Sequence, residues 1–248
     1  MAVRGPDYAA SPAPVREDIV RAHHRVWERM ACPGTWWTGA ERVAMAAEAR
    51  HATGCALCRE RKTALSPHAI QGAHDTLGVL PSPVVDVVHR IRIDPGRLTR
   101  AWFDGVMASG LADAQYVEIV GVVATVVGAD TFARAIGVSP APLPDPQPGG
   151  PSRLRPAAAT DQGAWVPMIA PEDASGSEAD LYGEARFVPN IRRALSLVPA
   201  EARGFADLSS VHYFAIDDMM DLSRQRALTR PQIELLAARV SALNQCFY

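Results

Sequence analysis

Apolar residues recur at helical spacing along most of the chain. Before residue 139 the pattern predicts helices over 15–30, 38–51, 55–64, 83–90, 98–109 and 113–127. Further helical patterns cover 188–198, 204–222 and 228–243. In the last of these, Thr229 is placed to cap the helix and Pro231 to occupy its first turn. The pattern therefore predicts an all-α protein.

Prolines interrupt the helical pattern over one long stretch. Residues 139–157, "SPAPLPDPQPGGPSRLRPA", contain seven prolines and two adjacent glycines. Because proline has no backbone N–H and clashes with the preceding turn, this stretch cannot continue a helix. We predict an N-terminal helical domain over 1–138, a proline-rich linker over 139–163 and a C-terminal helical domain over 164–248.

One pattern of apolar spacing occurs three times. The copies are "VAMAAEARHATGCALC" at 43–58, "VEIVGVVATVVGADTF" at 117–132 and "IELLAARVSALNQCFY" at 233–248. They align on Cys55, Asp130 and Cys246. The residues two positions earlier are Thr53, Gly128 and Asn244, which are residue types that end one helix and cap the next. An internal repeat predicts a helix, a break and a new helix in each copy.

Composition and charge narrow the class of protein. The chain has 248 residues, of which 48% are hydrophobic and 21% charged, and its net charge is -2. Nucleic-acid binding needs clustered Lys and Arg, so we expect no nucleic-acid partner. The N-terminus lacks the apolar core of a signal peptide, and uninterrupted apolar stretches fall short of the roughly 18–20 residues that span a bilayer. We predict a cytoplasmic protein with no membrane partner.

The cysteines supply the candidate chemistry. Four cysteines in a chain of this length are too few for a disulfide scaffold. Cys55 and Cys58 form a C-x-x-C at the start of the predicted helix 55–64, where backbone N–H groups lower a thiol pKa by about one unit. Cys246 lies at the corresponding position of the last copy. The spacing predicts a redox-active thiol pair.

Bases for these thiols are predicted from helical spacing. Glu48, His51 and Cys55 fall at i, i+3 and i+7, on one face of a helix if it continues through Gly54. This face predicts a relay in which Glu48 orients His51 and His51 takes the thiol proton. Glu234 lies twelve residues before Cys246 and can reach it if two helices pack across the break. Nearby cations that can stabilise a thiolate are Arg59, Arg61 and Lys62.

The segment "LTRPQIELLAARVSALNQCFY" resembles the alkylhydroperoxidase AhpD-like branch of the carboxymuconolactone decarboxylase superfamily. In that signature a glutamate precedes a C-x-x-C by twelve residues, and a histidine follows four residues beyond the second cysteine. "WFDGVMASGLADAQYVEIVGVVATVVGADTFARAIG" resembles the same superfamily in its cysteine-free form. The resemblance covers most of 35–138 and 180–248. It implies an AhpD-like helical bundle, a homo-oligomer and a thiol peroxidase that uses no cofactor and no metal.

The resemblance also implies residue roles. In the family the second cysteine attacks the hydroperoxide and the first resolves it to a disulfide, which a thiol reductant reduces. Glu234 matches the relay acid and Cys246 the resolving cysteine. Some AhpD-like proteins carry selenocysteine as the second member, so we expect the natural chain to continue past Tyr248 with selenocysteine. In the first copy Cys55 and Cys58 match the pair, while Val43 and Lys62 replace the family's glutamate and histidine.

The expected function is therefore that of a thiol or selenol peroxidase that reduces organic hydroperoxides in antioxidant defence, with little activity at the incomplete C-terminal motif. Alternatives are a carboxymuconolactone decarboxylase-like enzyme and a non-catalytic oligomeric helical protein. Cys55 and Cys58 can also be small buried apolar residues, or zinc ligands in the set Cys32, His51, Cys55 and Cys58. Glu118, in an apolar helix, is predicted to form a structural salt bridge with Arg134 or Arg90.

Overall fold

The helices account for most of the regular structure. The computed structural model describes residues 5–184, 188–215, 218, 221–244 and 246. The helices in these ranges are α1 (Glu17–Ala31), α2 (Gly39–His51), α3 (Ala56–Thr63), α4 (Ser82–Ile93), α5 (Arg100–Ala108), α6 (Asp113–Ala135), α7 (Asn190–Arg193), α8 (Pro199–His212) and α9 (Arg230–Leu243). Strands β1 (Ala159–Thr160) and β2 (Met168–Ile169) pair antiparallel. The prediction of a mostly helical protein is confirmed.

Side-chain caps mark the starts of several helices, among them α2 and α9. At the start of α2 the Thr38 hydroxyl accepts the backbone N–H of Glu41, and the Glu41 carboxylate accepts the backbone N–H of Thr38. A capping box of the same kind joins Thr229 to Gln232 at the start of α9, and Pro231 lies in its first turn. Such caps satisfy otherwise unpaired N–H groups and contribute about 1 kcal/mol each. The predicted start of the last helix is confirmed.

Helix α6 lies at the centre of the packing. It contacts α2, α4 and α8, and its valines and Ile119 join the apolar core with Met45 of α2 and Val88 of α4. By length and composition α6 is apolar enough to cross a membrane, but 67% of that window is buried inside the protein. A helix that is apolar on all sides is the expected centre of such a bundle.

The predicted break at Gly128 is wrong. Helix α6 runs uninterrupted through Gly128, which packs near Leu208 of α8. A glycine costs a helix interior only about 1 kcal/mol, which burial on several sides offsets. The first copy does break, because α2 ends at His51 and a 3-10 turn over Ala52–Gly54 precedes α3. The internal repeat is therefore not confirmed.

The proline-rich segment is extended and lies against α1. The Trp27 indole donates to the carbonyl of Pro142 at 2.8 Å, and the backbone N–H of Gln147 donates to the carbonyl of Ala31 at 2.8 Å. Beyond this segment, α8 packs on α1 and α6. The regions before and after the prolines thus share contacts, and the predicted domain boundaries stay a prediction.

In the predicted helix 204–222, residues 216, 217, 219 and 220 lie outside the described residues.

Candidate functional site

Cys55 and Cys58 lie where α3 begins. Cys55 is the residue that precedes the helix, with φ -64° and ψ 126°, and Cys58 lies within its first turn. The 3-10 turn after α2 ends the preceding helix and directs the chain into α3. Cys55 is 0% exposed and Cys58 is 4% exposed. Both thiols are therefore held inside the protein at a helix N-terminus.

His74 reaches the thiols from the connection between α3 and α4. Its Nδ1 lies 3.6 Å from the Cys55 sulfur and 3.4 Å from the Cys58 sulfur. Its other ring nitrogen, Nε2, lies 3.0 Å from Oδ1 of Asp86 on α4. Asp86 also accepts a hydrogen bond from the Trp102 indole at 2.7 Å. The carboxylate thus fixes the orientation of the imidazole.

His89 reaches Cys58 from the opposite side. Its Nδ1 lies 3.3 Å from the Cys58 sulfur, and its Nε2 lies 2.9 Å from Oε1 of Glu48 on α2. The second Glu48 oxygen accepts the backbone N–H of Leu77 at 3.1 Å and the hydroxyl of Thr76 at 3.2 Å. One buried carboxylate therefore holds both His89 and the chain that carries His74.

The two thiols and two imidazoles form one compact group, called here the thiol–imidazole cluster: Cys55, Cys58, His74 and His89. One potential ligand atom from each residue lies within 4.8 Å of the others. Each imidazole turns Nδ1 toward sulfur and Nε2 toward a carboxylate. The arrangement can hold a metal ion, or it can move protons to and from sulfur.

The pKa values of the two thiols shift in opposite directions. Burial raises the pKa of Cys55, but hydrogen bonds from the backbone N–H groups of Cys58 and Asp75 and from His74 outweigh it, so the pKa is lowered overall. Burial, followed by the effect of Cys55, raises the pKa of Cys58 to about 12. Proton loss from the pair therefore begins at Cys55.

The pKa values of the two imidazoles also shift in opposite directions. Burial opposes a charge on His74, but hydrogen bonds to Asp86 and Cys55 raise its pKa overall. Burial lowers the pKa of His89, despite its hydrogen bond to Glu48. These shifts favour the charged forms of His74 and Cys55 and the neutral forms of His89 and Cys58.

A cavity lies beside the cluster, on the side of His74. Its volume is about 570 Å³, and its lining includes His74, Asp86, Trp102, Leu80 and Val106. The cysteines do not line it, so the His74 ring lies between the cavity and the sulfur atoms. A molecule in this cavity meets an imidazole–carboxylate pair backed by an apolar wall.

The predicted relay from Glu48 through His51 to Cys55 is not formed. The helix ends at His51, so the three residues do not continue along one helical face. Within the described part of the chain, the imidazole at the Cys55 sulfur belongs to His74, and Glu48 binds His89. The structure thus places Glu48 and Cys55 around one cluster but leaves the half-buried His51 outside it.

The predicted pairing of Glu234 with Cys246 is also not formed. Both Glu234 oxygens accept the Tyr213 hydroxyl, at 2.7 and 2.6 Å, and Arg230 forms a salt bridge with one of them. The backbone N–H of the exposed Cys246 donates to the carbonyl of Ser241. Ser241 lies about 10 Å of helix axis beyond Glu234. Since α9 does not fold back, it keeps the two side chains apart.

The structure also places the predicted zinc ligand Cys32 and the cations near the C-x-x-C. The predicted zinc ligand Cys32 is exposed and lies outside the thiol–imidazole cluster. Of the cations near the C-x-x-C, Lys62 pairs with Asp94 at 3.6 Å and Arg59 bonds the carbonyl of Gly54 at 2.8 Å. Arg61, which lies 3.4 Å from Asp86, is the one whose charge lowers the pKa of Cys58.

Glu118 forms a buried salt bridge, but the predicted partners are wrong. Its carboxylate pairs with Arg42 of α2, which also pairs with Glu201 of α8 at 2.7 Å. Arg134 instead pairs with Asp130 at 3.7 Å. Arg90 lies over the Trp102 ring at 5.8 Å. Packing of α2, α6 and α8 selects partners that sequence spacing along α6 does not indicate.

Sequence reasoning missed His74, His89 and Asp86 as members of the site. A signal was present for two of them, because Asp86 and His89 lie at i and i+3 among the buried valines of α4. Polar residues inside such a helix need partners. His74 lies outside any helix or strand, and the sequence carries no periodic signal for its position.

No family model, curated protein or solved structure matches the chain. The resemblance to AhpD-like proteins therefore stays a prediction.

Proposed function

We propose that Cys55 and Cys58 form a dithiol redox centre of the thiol peroxidase or disulfide oxidoreductase type, which reduces organic hydroperoxides in antioxidant defence. The observation that carries this function is the pairing of each thiol with an imidazole whose far nitrogen is held by a carboxylate. A thiol reacts as its thiolate, and an oriented imidazole is the usual group that takes and returns its proton.

In the proposed reaction Cys55 is the attacking residue. Its sulfur accepts hydrogen bonds from the backbone N–H groups of Cys58 and Asp75, and these bonds stabilise a thiolate. The thiolate attacks the outer oxygen of the hydroperoxide, so that an S–O bond forms and the O–O bond breaks. His74 supplies the proton with which the alkoxide leaves as an alcohol, and Cys55 becomes a sulfenic acid.

Cys58 completes the turnover. His89 takes the Cys58 proton, the Cys58 sulfur attacks the sulfenic sulfur, and water leaves as the disulfide forms. An external dithiol then reduces the disulfide by two electrons. This order assigns attack to the first cysteine, the reverse of the roles that the family resemblance implies.

The hydroperoxide is expected to enter through the cavity beside His74. The wall formed by Leu80, Val106 and Trp102 suits an apolar organic group, and Asp86 and His74 face the polar end. Because the His74 ring separates the cavity from both sulfurs, the ring must turn aside before attack. A carboxymuconolactone decarboxylase-like activity has no comparable support from this geometry.

The remaining expectations belong to the same proposal. A cytoplasmic location suits thiols that cycle through reduction by a dithiol partner. A homo-oligomer would cover the apolar side chains of α9, four of which are more than half exposed: Leu235, Leu236, Val240 and Leu243. Cys246 is not assigned a step, because Glu234 is held by Tyr213 and Arg230.

Peptide mass spectrometry tests the redox centre directly. The reduced protein is treated with cumene hydroperoxide in the presence of a metal chelator, and disulfides and hydroperoxide consumption are measured. We expect a Cys55–Cys58 disulfide and catalytic consumption with a dithiol reductant. Cys58→Ser should stop at a Cys55 sulfenic acid that dimedone traps, and Cys55→Ser should yield neither product.

Cys32→Ser is the matched control, because Cys32 is exposed and lies outside the cluster. This variant should form the disulfide and consume hydroperoxide as the wild type does. The function is wrong if the folded wild type keeps both thiols after treatment, or if consumption survives in Cys55→Ser and Cys58→Ser alike.

A further inference from the structure

The thiol–imidazole cluster has the geometry of a tetrahedral metal site. In a zinc site with bonds of about 2.3 Å to sulfur and about 2.0 Å to nitrogen, neighbouring sulfur and nitrogen ligands lie roughly 3.5 Å apart. Three of the four sulfur–nitrogen distances among Cys55, Cys58, His74 and His89 are 3.3, 3.4 and 3.6 Å. All four ligand atoms lie within 4.8 Å of one another. These separations fit the edges of one coordination tetrahedron.

The outer nitrogens of both imidazoles support the same interpretation. Nε2 of His74 is held by Asp86 at 3.0 Å, and Nε2 of His89 is held by Glu48 at 2.9 Å. Carboxylates accept hydrogen bonds, so each Nε2 is placed to keep its proton, and each Nδ1 directs a lone pair toward the sulfurs once its own proton is lost. Zinc-binding histidines are oriented by carboxylates in this way.

The ligand types select the metal. Two thiolates and two neutral imidazoles are the donors of structural zinc sites, whereas calcium and magnesium take oxygen donors. The two thiolate charges balance the charge of a zinc ion, which suits a place where Cys55 and His89 are 0% exposed. Four protein donors fill the coordination sphere and leave no position for water, as in structural sites.

The surrounding fold gives such an ion a structural task. The local apolar cluster around α3 comprises Cys55, Leu57 and Cys58, with Ile70 and Ile93 packed against it. Helix α3 has 8 residues, too few to be stable without tertiary contacts. His74 follows Cys58 by 16 residues and His89 follows it by 31. An ion bound by all four residues would join α3, the following connection and α4.

We propose that Cys55, Cys58, His74 and His89 bind one structural Zn²⁺ ion, with Asp86 and Glu48 as the residues that orient its histidine ligands. Binding uses the reduced thiolates and does not depend on the proposed peroxidase reaction. Oxidation of the pair to a disulfide removes two of the four ligands. The zinc-bound form and the disulfide form therefore exclude one another, and zinc keeps the thiols reduced but unreactive.

Zinc content and cobalt spectroscopy of the reduced full-length protein test this site. After loading with zinc chloride and exhaustive dialysis, mass spectrometry of the metal should find about one zinc per chain. Replacement of zinc by Co²⁺ should produce the thiolate-to-cobalt charge-transfer absorption and the intense visible bands of a tetrahedral site. Cys58→Ser and His89→Ala should lose the bound metal and the charge-transfer absorption or weaken it strongly.

Cys32→Ser and His51→Gln are matched controls, because they remove the two ligands that belong only to the set predicted from sequence. Both variants should keep the zinc content of the wild type. The cobalt spectrum of the wild type needs no variant to fold, so it decides the outcome by itself. Zinc content near zero, or a cobalt spectrum without thiolate charge transfer, overturns the zinc site. Disulfide formation in the metal-free protein would still support the redox centre.

Discussion

Glu48 joins three parts of the molecule through one buried carboxylate. It lies on α2, binds His89 on α4, and accepts the backbone N–H of Leu77 and the hydroxyl of Thr76. Because an ionised carboxylate only accepts hydrogen bonds, it keeps the proton of His89 on Nε2. The Nδ1 that faces Cys58 is then free to bind a metal or to accept the thiol proton.

The substitution Glu48→Gln tests this positioning role. The glutamine NH₂ group can donate where the carboxylate accepts, so His89 no longer keeps its Nε2 proton and Nδ1 is not reliably presented to Cys58. We expect zinc affinity to fall by about tenfold to a hundredfold, measured by competition with a chelator. Glu60→Gln, at an exposed position of α3, is the control and should bind zinc as the wild type does. Equal affinities for both variants would contradict the role of Glu48.

A second buried charged group holds three helices together. Arg42 is 2% exposed, Glu118 0% and Glu201 2%, and the arginine pairs with both carboxylates. Burial raises the pKa of Glu118, although Arg42 opposes this shift. A side chain at Gly34 would place its Cβ 1.8 Å from Oε1 of Glu118. The glycine is therefore needed for the close approach of the chain to this group.

Removal of Arg42 should destabilise the protein strongly. Arg42→Met leaves two buried carboxylates side by side without their cation, so we expect a loss of about 3–5 kcal/mol in the free energy of unfolding. Arg21→Met breaks only an exposed pair with Glu17 on α1 and should change stability by less than about 0.5 kcal/mol. Urea unfolding followed by circular dichroism measures both. A loss of stability in Arg42→Met as small as that in Arg21→Met would show that the buried group does not stabilise the protein.

At the scale of elements, α1 and α8 meet through a chain of hydrogen-bonded polar groups. His23 of α1 lies 2.7 Å from His212 of α8 between their Nε2 atoms, and its Nδ1 contacts the Tyr8 hydroxyl. The Phe132 ring of α6 packs edge-on against both imidazoles. Burial, with help from His212, lowers the pKa of His23 to about 4. Burial and the charge of Arg16 also lower the pKa of His212.

This interface should weaken in acid. The pKa of His23 is 6.5 ordinarily and about 4 in the folded protein, so between these pH values the unfolded chain binds more protons. The contribution of His23 to the free energy of unfolding is therefore complete above pH 6.5. It falls by about 3 kcal/mol as the pH drops toward 4. Urea unfolding at a series of pH values measures the loss.

Two variants test how much His23 contributes to the pH dependence of stability. His23→Gln should show a smaller loss of stability between neutral pH and pH 4 than the wild type, whatever its stability at neutral pH. His68→Gln removes an exposed histidine and should leave the pH dependence unchanged. Parallel pH profiles for the wild type and His23→Gln would contradict the assignment.

At the scale of the whole molecule, α9 differs from the other long helices. Among its described residues only Arg230 is buried, while Leu235, Leu236, Val240 and Leu243 are more than half exposed. Helices of a folded domain normally bury an apolar face, so this surface suits contact with another copy of the chain. A shared surface of this kind agrees with the homo-oligomer that the family resemblance implies.

Charges on this face should separate the copies. We expect the wild type to form an oligomer and the double substitution Leu236→Asp and Val240→Asp, on adjacent turns, to give a monomer, measured by size-exclusion chromatography with light scattering. Ala238→Asp adds a charge at another exposed position of α9 and should leave the oligomer intact. A wild type that is already monomeric at micromolar concentration would rule out this use of α9.

The sequence by itself determined the local features of this protein. Helical periodicity and caps placed most helices within a few residues, as at Thr229 and Pro231. The prolines of 139–157 marked an extended segment, and the C-x-x-C was placed where a helix begins. These features depend on neighbours within one or two turns, so the order of residues is sufficient to predict them.

Only the tertiary structure decided which distant residues meet. His74 and His89 replace His51 at the thiols, Arg42 and Glu201 meet Glu118, and α6 continues through Gly128. Each outcome depends on how helices pack, because side chains tens of residues apart become neighbours only when apolar faces are buried together. Spacing along the chain carries little information about such contacts, so the chemistry of the site could be seen only in the folded molecule.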